Sequence, residues 1–253
     1  MSSFRVMTWN IKSSGTPSWS AGKIASQIKA SGADIVALQE SCSNRLGELH
    51  TALTSNGWNG DVSPGLLGGS APGIWVWEAV PASASCGGGG SSFGIATISR
   101  FPTKNKWASF LTPASDEVRQ LLRVEPQNLG VQVGFFNVQI APDQGGQIQT
   151  AVGQINGYLA ANPSARVVFA GDFQQDRLAP AMRPWLDGWS DADDRTPPLD
   201  TIKYPIAHKI DYIFRLNGQA VTTNSPTVPP IPIRPDSGWY TDHRPLVATV
   251  VVS

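Results

Sequence analysis

Two short runs, Ile35-Val36-Ala37-Leu38 and Val167-Val168-Phe169-Ala170, are apolar at every position. A strand with one wet face alternates, so unbroken runs of this length read as strands covered on both sides. Each is followed at once by a carboxylate, in Gln39-Glu40 and in Gly171-Asp172. The same placement recurs elsewhere: Phe4 to Trp9 ends at Asn10, Asp211 lies within Lys209 to Phe214, and Asp242-His243 precedes the apolar stretch Leu246 to Val251. Polar groups at the ends of core strands converge on one edge of a sheet, where ligands commonly bind.

The segments between them complete an α/β pattern. Ser20 is placed to cap a helix carrying Ile24 and Ile28 that stops near Gly32. Leu46, Leu49 and Leu53 share one face of a second helix from Arg45 to about Ser55. Ile148, Val152, Ile155 and Leu159 repeat at helical spacing over Gln147 to Leu159. Further strands are expected at 74–77, 94–99, 120–124, 131–140, 210–214, 219–222 and 246–251. Asn56 to Gly73, and Cys86 to Ser92 with its four consecutive glycines, read as loops. Order and spacing predict two mixed sheets with helices outside. No repeat or linker divides the 253 residues, so one domain spanning 1–253 is expected.

Nineteen basic residues balance nineteen acidic ones. That lends no support to a chain coated with positive charge for nonspecific nucleic-acid binding. Cys42 and Cys86 either remain two buried thiols or close a disulfide, which would suit an exported protein. Met1-Ser2-Ser3 leads straight into a strand with no apolar leader, and no apolar run is long enough to span a bilayer. A soluble monomer is expected.

Several carboxylates beside an amide oxygen make a hard-oxygen site, suited to Mg²⁺ or Mn²⁺ rather than zinc. The segments Thr8-Trp9-Asn10, Leu38-Gln39-Glu40, Gly171-Asp172-Phe173, Ile210-Asp211-Tyr212 and Thr241-Asp242-His243-Arg244-Pro245, in this order, resemble the motifs of the endonuclease/exonuclease/phosphatase superfamily. Phe93 to Arg100 resembles that family's central strand. The resemblance implies a four-layer, DNase I-like α/β sandwich that hydrolyses phosphoesters with a divalent metal. It places Asn10, Glu40 and Asp242 at the metal, and Asp172 at the attacking water. It pairs Asp211 with His243, which would stabilise the charge on phosphate.

Two positions depart from the pattern. Gln139 stands where the family usually has histidine, and Gln174 where it usually has asparagine. An amide at 139 supplies neither charge nor a proton, and the extra methylene at 174 displaces the end group; weak catalysis is expected. Arg119 to Val124 and Gly134 to Gln139 are similar to DNase I-like enzymes and to the nuclease subunit of cytolethal distending toxins. That similarity points to DNA as substrate, with Arg119, Arg123 and Arg100 as phosphate contacts. A lipid phosphoester substrate is the alternative, with Trp75, Trp77 and Trp239 as an apolar face. A binding domain without turnover is another. Glu78 aligns loosely with a carboxylate partner for the missing histidine.

Overall fold

The computed structural model describes residues 1–12, 20–55, 86, 93–111, 119–142, 144–176, 178–195, 197–202, 208–229 and 241–253, and the backbone of 73–80. Two six-stranded sheets pack face to face. The first runs in the order β11 (Val221–Thr227), β12 (Leu246–Val252), β1 (Ser2–Asn10), β2 (Ile35–Cys42), β4 (Phe93–Ser99), β3 (Gly73–Val80). The second runs β5 (Thr103–Phe110), β6 (Gln120–Pro126), β7 (Val133–Gln139), β8 (Arg166–Asp172), β10 (Asp211–Leu216), β9 (Trp189–Asp191). Each sheet contains one parallel pair, β1–β2 and β7–β8, among antiparallel neighbours. The expected mixed-sheet sandwich is present.

Three apolar clusters make the four layers. Val6, Ala37, Val124, Phe135, Val168 and Ile213 meet between the sheets. Helix α1 (Ala21–Ser31) and helix α2 (Ser43–Ser55) cover the first sheet, burying Ile24, Ile28, Leu46, Leu49 and Leu53 against Met7, Val36 and Leu38. Helix α3 (Gly145–Ala161) covers the second, setting Ile148, Val152 and Ile155 against Phe136, Val138 and Phe169. The continuous apolar runs of β2 and β8 are thus explained, since a helix lies on one side and the opposite sheet on the other. A one-turn helix, α4 (Arg183–Leu186), follows β8.

Local chemistry sets the ends of α1. The Ser20 side chain accepts a hydrogen bond from the Lys23 N–H, and Gly32 takes the left-handed conformation (φ 66°) that closes the helix. Cys42, at the end of β2, forms a disulfide with Cys86, which resolves the choice left open between paired and free cysteines. No described helix is long and apolar enough to cross a membrane.

Two strands are absent from the sequence reading. β5 is an edge strand whose Lys104, Asn105 and Lys106 face solvent, so it shows no apolar pattern. β9 has three residues and is held only by pairing with β10. β11 begins two residues later than expected and extends to Thr227.

Candidate active site

The carboxyl ends of both parallel pairs meet at one end of the sandwich. On the second sheet Gln139 is paired with Asp172, and Asp172 with Asp211, so three polar side chains stand side by side at strand spacing. On the first sheet Asn10 is paired with Gln39, and Glu40 follows. The Asn10 amide bridges the two sheets, donating to Glu40 Oε1 and to Asp172 Oδ2, each at 2.9 Å. Gln139 Nε2 donates to the same Glu40 oxygen at 3.1 Å. Gln174 donates twice to Asp172, from its backbone N–H to Oδ1 (2.9 Å) and from its side chain to Oδ2 (2.5 Å).

The backbone is bent to make this possible. Five described non-glycine residues have positive φ, and three of them, Lys12 (41°), Glu40 (52°) and Gln174 (56°), lie here. Such left-handed conformations cost energy in L-residues and gather where function demands an otherwise unfavourable direction. At Glu40 the cause is visible: the β2–β4 register shifts between Leu38 and Ser41, and this bulge turns Glu40 toward the second sheet. Gly171 has a different reason. A Cβ there would come within 2.1 Å of the Val138 carbonyl oxygen, so only glycine lets Asp172 stand beside Gln139.

His243 is fixed from several directions. Its Nδ1 lies 2.9 Å from Asp211 Oδ2, its carbonyl accepts from Trp9 Nε1 (3.2 Å), and its N–H donates to Thr241 Oγ1 (3.1 Å). The Thr241 hydroxyl donates in turn to the Asn10 carbonyl at 2.6 Å. Asp211 is held by Thr201, whose hydroxyl oxygen accepts the N–H groups of Ile210 and Asp211. His243 Nε2 faces inward, 3.9 Å from Asp172 and 4.0 Å from Asp242. Those distances are too long for direct hydrogen bonds, but they suit an oxygen atom lying between.

Burial drives the Asp172 carboxyl up to about 6, and Asp211 adds to the rise, against the opposing pull of His243 and the hydrogen bonds from Asn10 and Gln174. Burial by itself would lower the His243 pKa. The negative charges of Asp211 and Asp172 outweigh it and push the imidazole up to about 10. At neutral pH His243 is therefore an imidazolium whose Nδ1–H points to Asp211.

The residues fit a divalent cation. Ligand atoms of Asp172, Asp211 and His243 lie within 4.8 Å of one another, and Asp211 Oδ1 is buried without a hydrogen-bond partner. Oxygen atoms of two more carboxylates lie beside this group: Glu40 shares the Asn10 amide with Asp172, and Asp242 Oδ1 is 4.0 Å from His243 Nε2. The Asn10 geometry alters one expectation. Its amide nitrogen, not its oxygen, faces the carboxylates, and its Oδ1 accepts the Lys12 N–H at 3.0 Å. Asn10 organises Glu40 and Asp172 here, and only the second lone pair of Oδ1 is left to offer a cation.

Asn10, Glu40, Gln139, Asp172, Gln174, Asp211, Asp242 and His243 are thus brought together. The three arginines are not equivalent. Arg100 follows the β4 residue paired with Ile35 and binds Asp34. It lies at the opposite end of β2 from Glu40, about 17 Å away at strand rise. Arg123 pairs with Glu125 and stacks on Tyr158 of α3 and on Trp107, on the helix-covered face of the sheet. Neither stands where a phosphate held beside His243 would reach it; long side chains were read from sequence without the strand direction that aims them. Arg119 immediately precedes Gln120, the strand partner of Gln139, and so lies at the site's end of the sheet. The side chains of Trp75, Trp77 and Glu78, and all of Trp239, fall outside the described residues.

Several contributors escaped the sequence reading. Lys12 reaches over the rim to Asp242 (3.4 Å), and Thr201 and Thr241 orient the Asp211–His243 pair. Asn137 lies fully buried within the apolar stretch Phe135 to Val138, which was a usable signal, because a buried amide needs partners.

Comparison with solved structures gives the same architecture. An endonuclease/exonuclease/phosphatase protein from Beutenbergia cavernae aligns with TM-score 0.75 and 19% identity, over 100% of this chain and 72% of that one. Truncated Caenorhabditis elegans TDP2 gives 0.74 and 18%, over 99% and 98%. The mannosyl-6-phosphatase Bt3783 from Bacteroides thetaiotaomicron gives 0.70 and 14%, over 98% and 99%. The narrower likeness to a toxin nuclease subunit stays a resemblance of sequence alone. No curated protein matches the chain. A family model does match, over residues 7–243, and the chain belongs to the Endonuclease/Exonuclease/phosphatase family.

Proposed function

We propose that this chain is a divalent-metal-dependent phosphoesterase acting on phosphodiesters, with DNA as substrate, and that Gln139 and Gln174 attenuate it. The observation that carries the reading is the juxtaposition of Asp172, the Asp211–His243 pair and Glu40 across the two sheets, bridged by Asn10.

Glu40, Asp172 and Asp242, with Asp211 Oδ1, would hold Mg²⁺ or Mn²⁺, which when bound neutralises phosphate charge and acidifies water. The protein's own groups do the rest. Asp172, beside the inward-facing His243 Nε2, would orient the attacking water molecule. The His243 imidazolium directs Nε2–H at the oxygens that gain charge, and Asp211 keeps the ring from turning. Lys12, which reaches Asp242, and Arg119, at the site's end of β6, would be the contacts for adjacent phosphates.

Attenuation follows from where the two glutamine amides point. Gln139 Nε2 is committed to Glu40, and Gln174 Nε2 to Asp172. Both satisfy carboxylates, and neither supplies the charge that an imidazole at 139 would bring. The neighbour called a phosphatase supports a second reading, in which the substrate is a phosphomonoester. Nicking of supercoiled plasmid in Mg²⁺, by this chain and by the Gln139→His, Gln174→Asn double variant, tests both. Cleavage stronger in the double variant is expected. No cleavage by either, with release of phosphate from a monoester, would establish the second reading instead.

A further inference from the structure

Sheet-on-sheet packing is carried by apolar side chains, and such contact has little directional preference. A site assembled from both sheets therefore needs something to set how one lies over the other. Directly behind the site, the apolar interface is interrupted by fully buried polar side chains, among them Thr8, Gln39 and Asn137. Each sits one or two residues before a site residue: Thr8 before Asn10, Gln39 before Glu40, Asn137 before Gln139.

The Asn137 hydrogen bonds run between the sheets. From β7, Asn137 Nδ2 donates to the carbonyls of Ala96 (2.8 Å) and Leu38 (3.2 Å). Its Oδ1 accepts from Gln39 Nε2 at 2.8 Å, and the same Gln39 nitrogen lies 3.2 Å from Thr8 Oγ1. Leu38 and Ala96 form the last regular β2–β4 pair before the bulge that turns Glu40. The Asn137 amide therefore grips the base of the bulge. Bonds of this kind fix distance and direction together, which methyl contacts cannot do.

We propose that Asn137, through Gln39, is a positioning residue for the site: it sets the first sheet's Glu40 and Asn10 against the second sheet's Gln139 and Asp172. The proposal rests on the metal-dependent phosphoesterase reading. Sub-ångström placement is at stake, because a shift of about 1 Å in such a constellation can cost roughly 10²-fold in rate.

The test compares full-length Asn137→Ala and Gln39→Met with Val250→Ala. Val250 lies in the same intersheet core, where it pairs with Phe4 at the opposite end of β1. Urea unfolding, Mn²⁺ affinity by titration calorimetry, and kcat and KM are measured for each. At comparable losses of stability, Asn137→Ala and Gln39→Met are expected to weaken Mn²⁺ binding at least tenfold. They are also expected to lower kcat by about 10²-fold with KM within threefold, while Val250→Ala stays within threefold on every count. Unchanged Mn²⁺ affinity in folded Asn137→Ala and Gln39→Met overturns the proposal. So does an equal loss in Val250→Ala, because activity would then merely follow stability. If Asn137→Ala does not fold, Gln39→Met decides; if neither folds, the bridge serves the fold and the proposal falls. Mn²⁺ binding by the unaltered chain without phosphoester turnover would refute the functional reading alone, and the affinity comparison would still decide this one. No Mn²⁺ binding at all overturns both.

Discussion

Two buried charged clusters lie two residues apart on the approach to β10, and they are resolved in opposite ways. At Lys209 the ammonium is almost wholly buried, bonded to Asp191, within 3.4 Å of Asp193 and over the Tyr212 ring. Arg195 completes the pairing with Asp193 at 2.6 Å. Two cations meet two carboxylates, and the Leu199 N–H satisfies Asp193 further. At Asp211 the count among the described residues is unequal: Asp172, Asp211 and Asp242 lie within 4.0 Å of the His243 ring nitrogens, and Lys12 reaches Asp242. One carboxylate oxygen is left without a partner, and Asp172 is pushed up to about 6. A neutralised cluster anchors the chain; a cluster with surplus negative charge has an unmet need for a cation. Burial and carboxylates are common to both, so neither marks a site by itself, and the imbalance does.

The comparison is most sharply broken at Asp211. Asp211→Asn frees the imidazole while preserving shape, and turnover is expected to fall about 10³–10⁴-fold with little change in urea stability; steady-state assay on plasmid decides it. Lys209→Met should do the reverse. Leaving Asp191 and Asp193 uncompensated is expected to cost about 3–5 kcal/mol by urea unfolding, with turnover per folded molecule nearly unchanged. A large loss of turnover at full stability would show that the anchor also tunes the site. Next in size is Gln139→His with Gln174→Asn, expected to raise turnover about 10²-fold. The two glutamines would be acquitted by an unchanged rate.

The smallest effect is in pH. The folded pKa of His243, about 10, lies above the ordinary value of 6.5, so its contribution is full below pH 6.5 and is lost as pH rises toward 10. Asp193 is displaced the other way, downward. Burial opposes that shift, but the Leu199 N–H, Arg195 and Lys209 together outweigh it. Its contribution is present above about pH 4 and lost as acid protonates it. Metal-free protein should lose stability between pH 7 and 10, and His243→Asn should flatten that limb of the unfolding profile. An alkaline limb unchanged in His243→Asn would remove the imidazolium from the account.

Much of this was legible in the chain. The continuous apolar runs required buried strands, the periodic leucines and isoleucines required covering helices, and the polar residues after those strands required a common edge. The eight residues that assemble there were all nameable, because each signal is local and a strand's exit is visible in a few residues. The arginines expected at phosphate show where local signals stop: Arg100 and Arg123 differ from Arg119 in their distance along the strands from the site, which no window of sequence records. β5 was invisible because an edge strand is selected for charge rather than pattern.

By itself, then, the sequence determined the layers and which polar residues end at their common edge. Tertiary structure decided which oxygen each amide serves, the bulge at Glu40, the bridge from Asn137, and the difference between the two charged clusters. These are matters of direction and distance between segments up to 230 residues apart, as in the contact from Lys12 to Asp242. Hydrogen bonds and charges depend on such geometry steeply, whereas apolar burial, which sets the pattern along the chain, depends on it hardly at all.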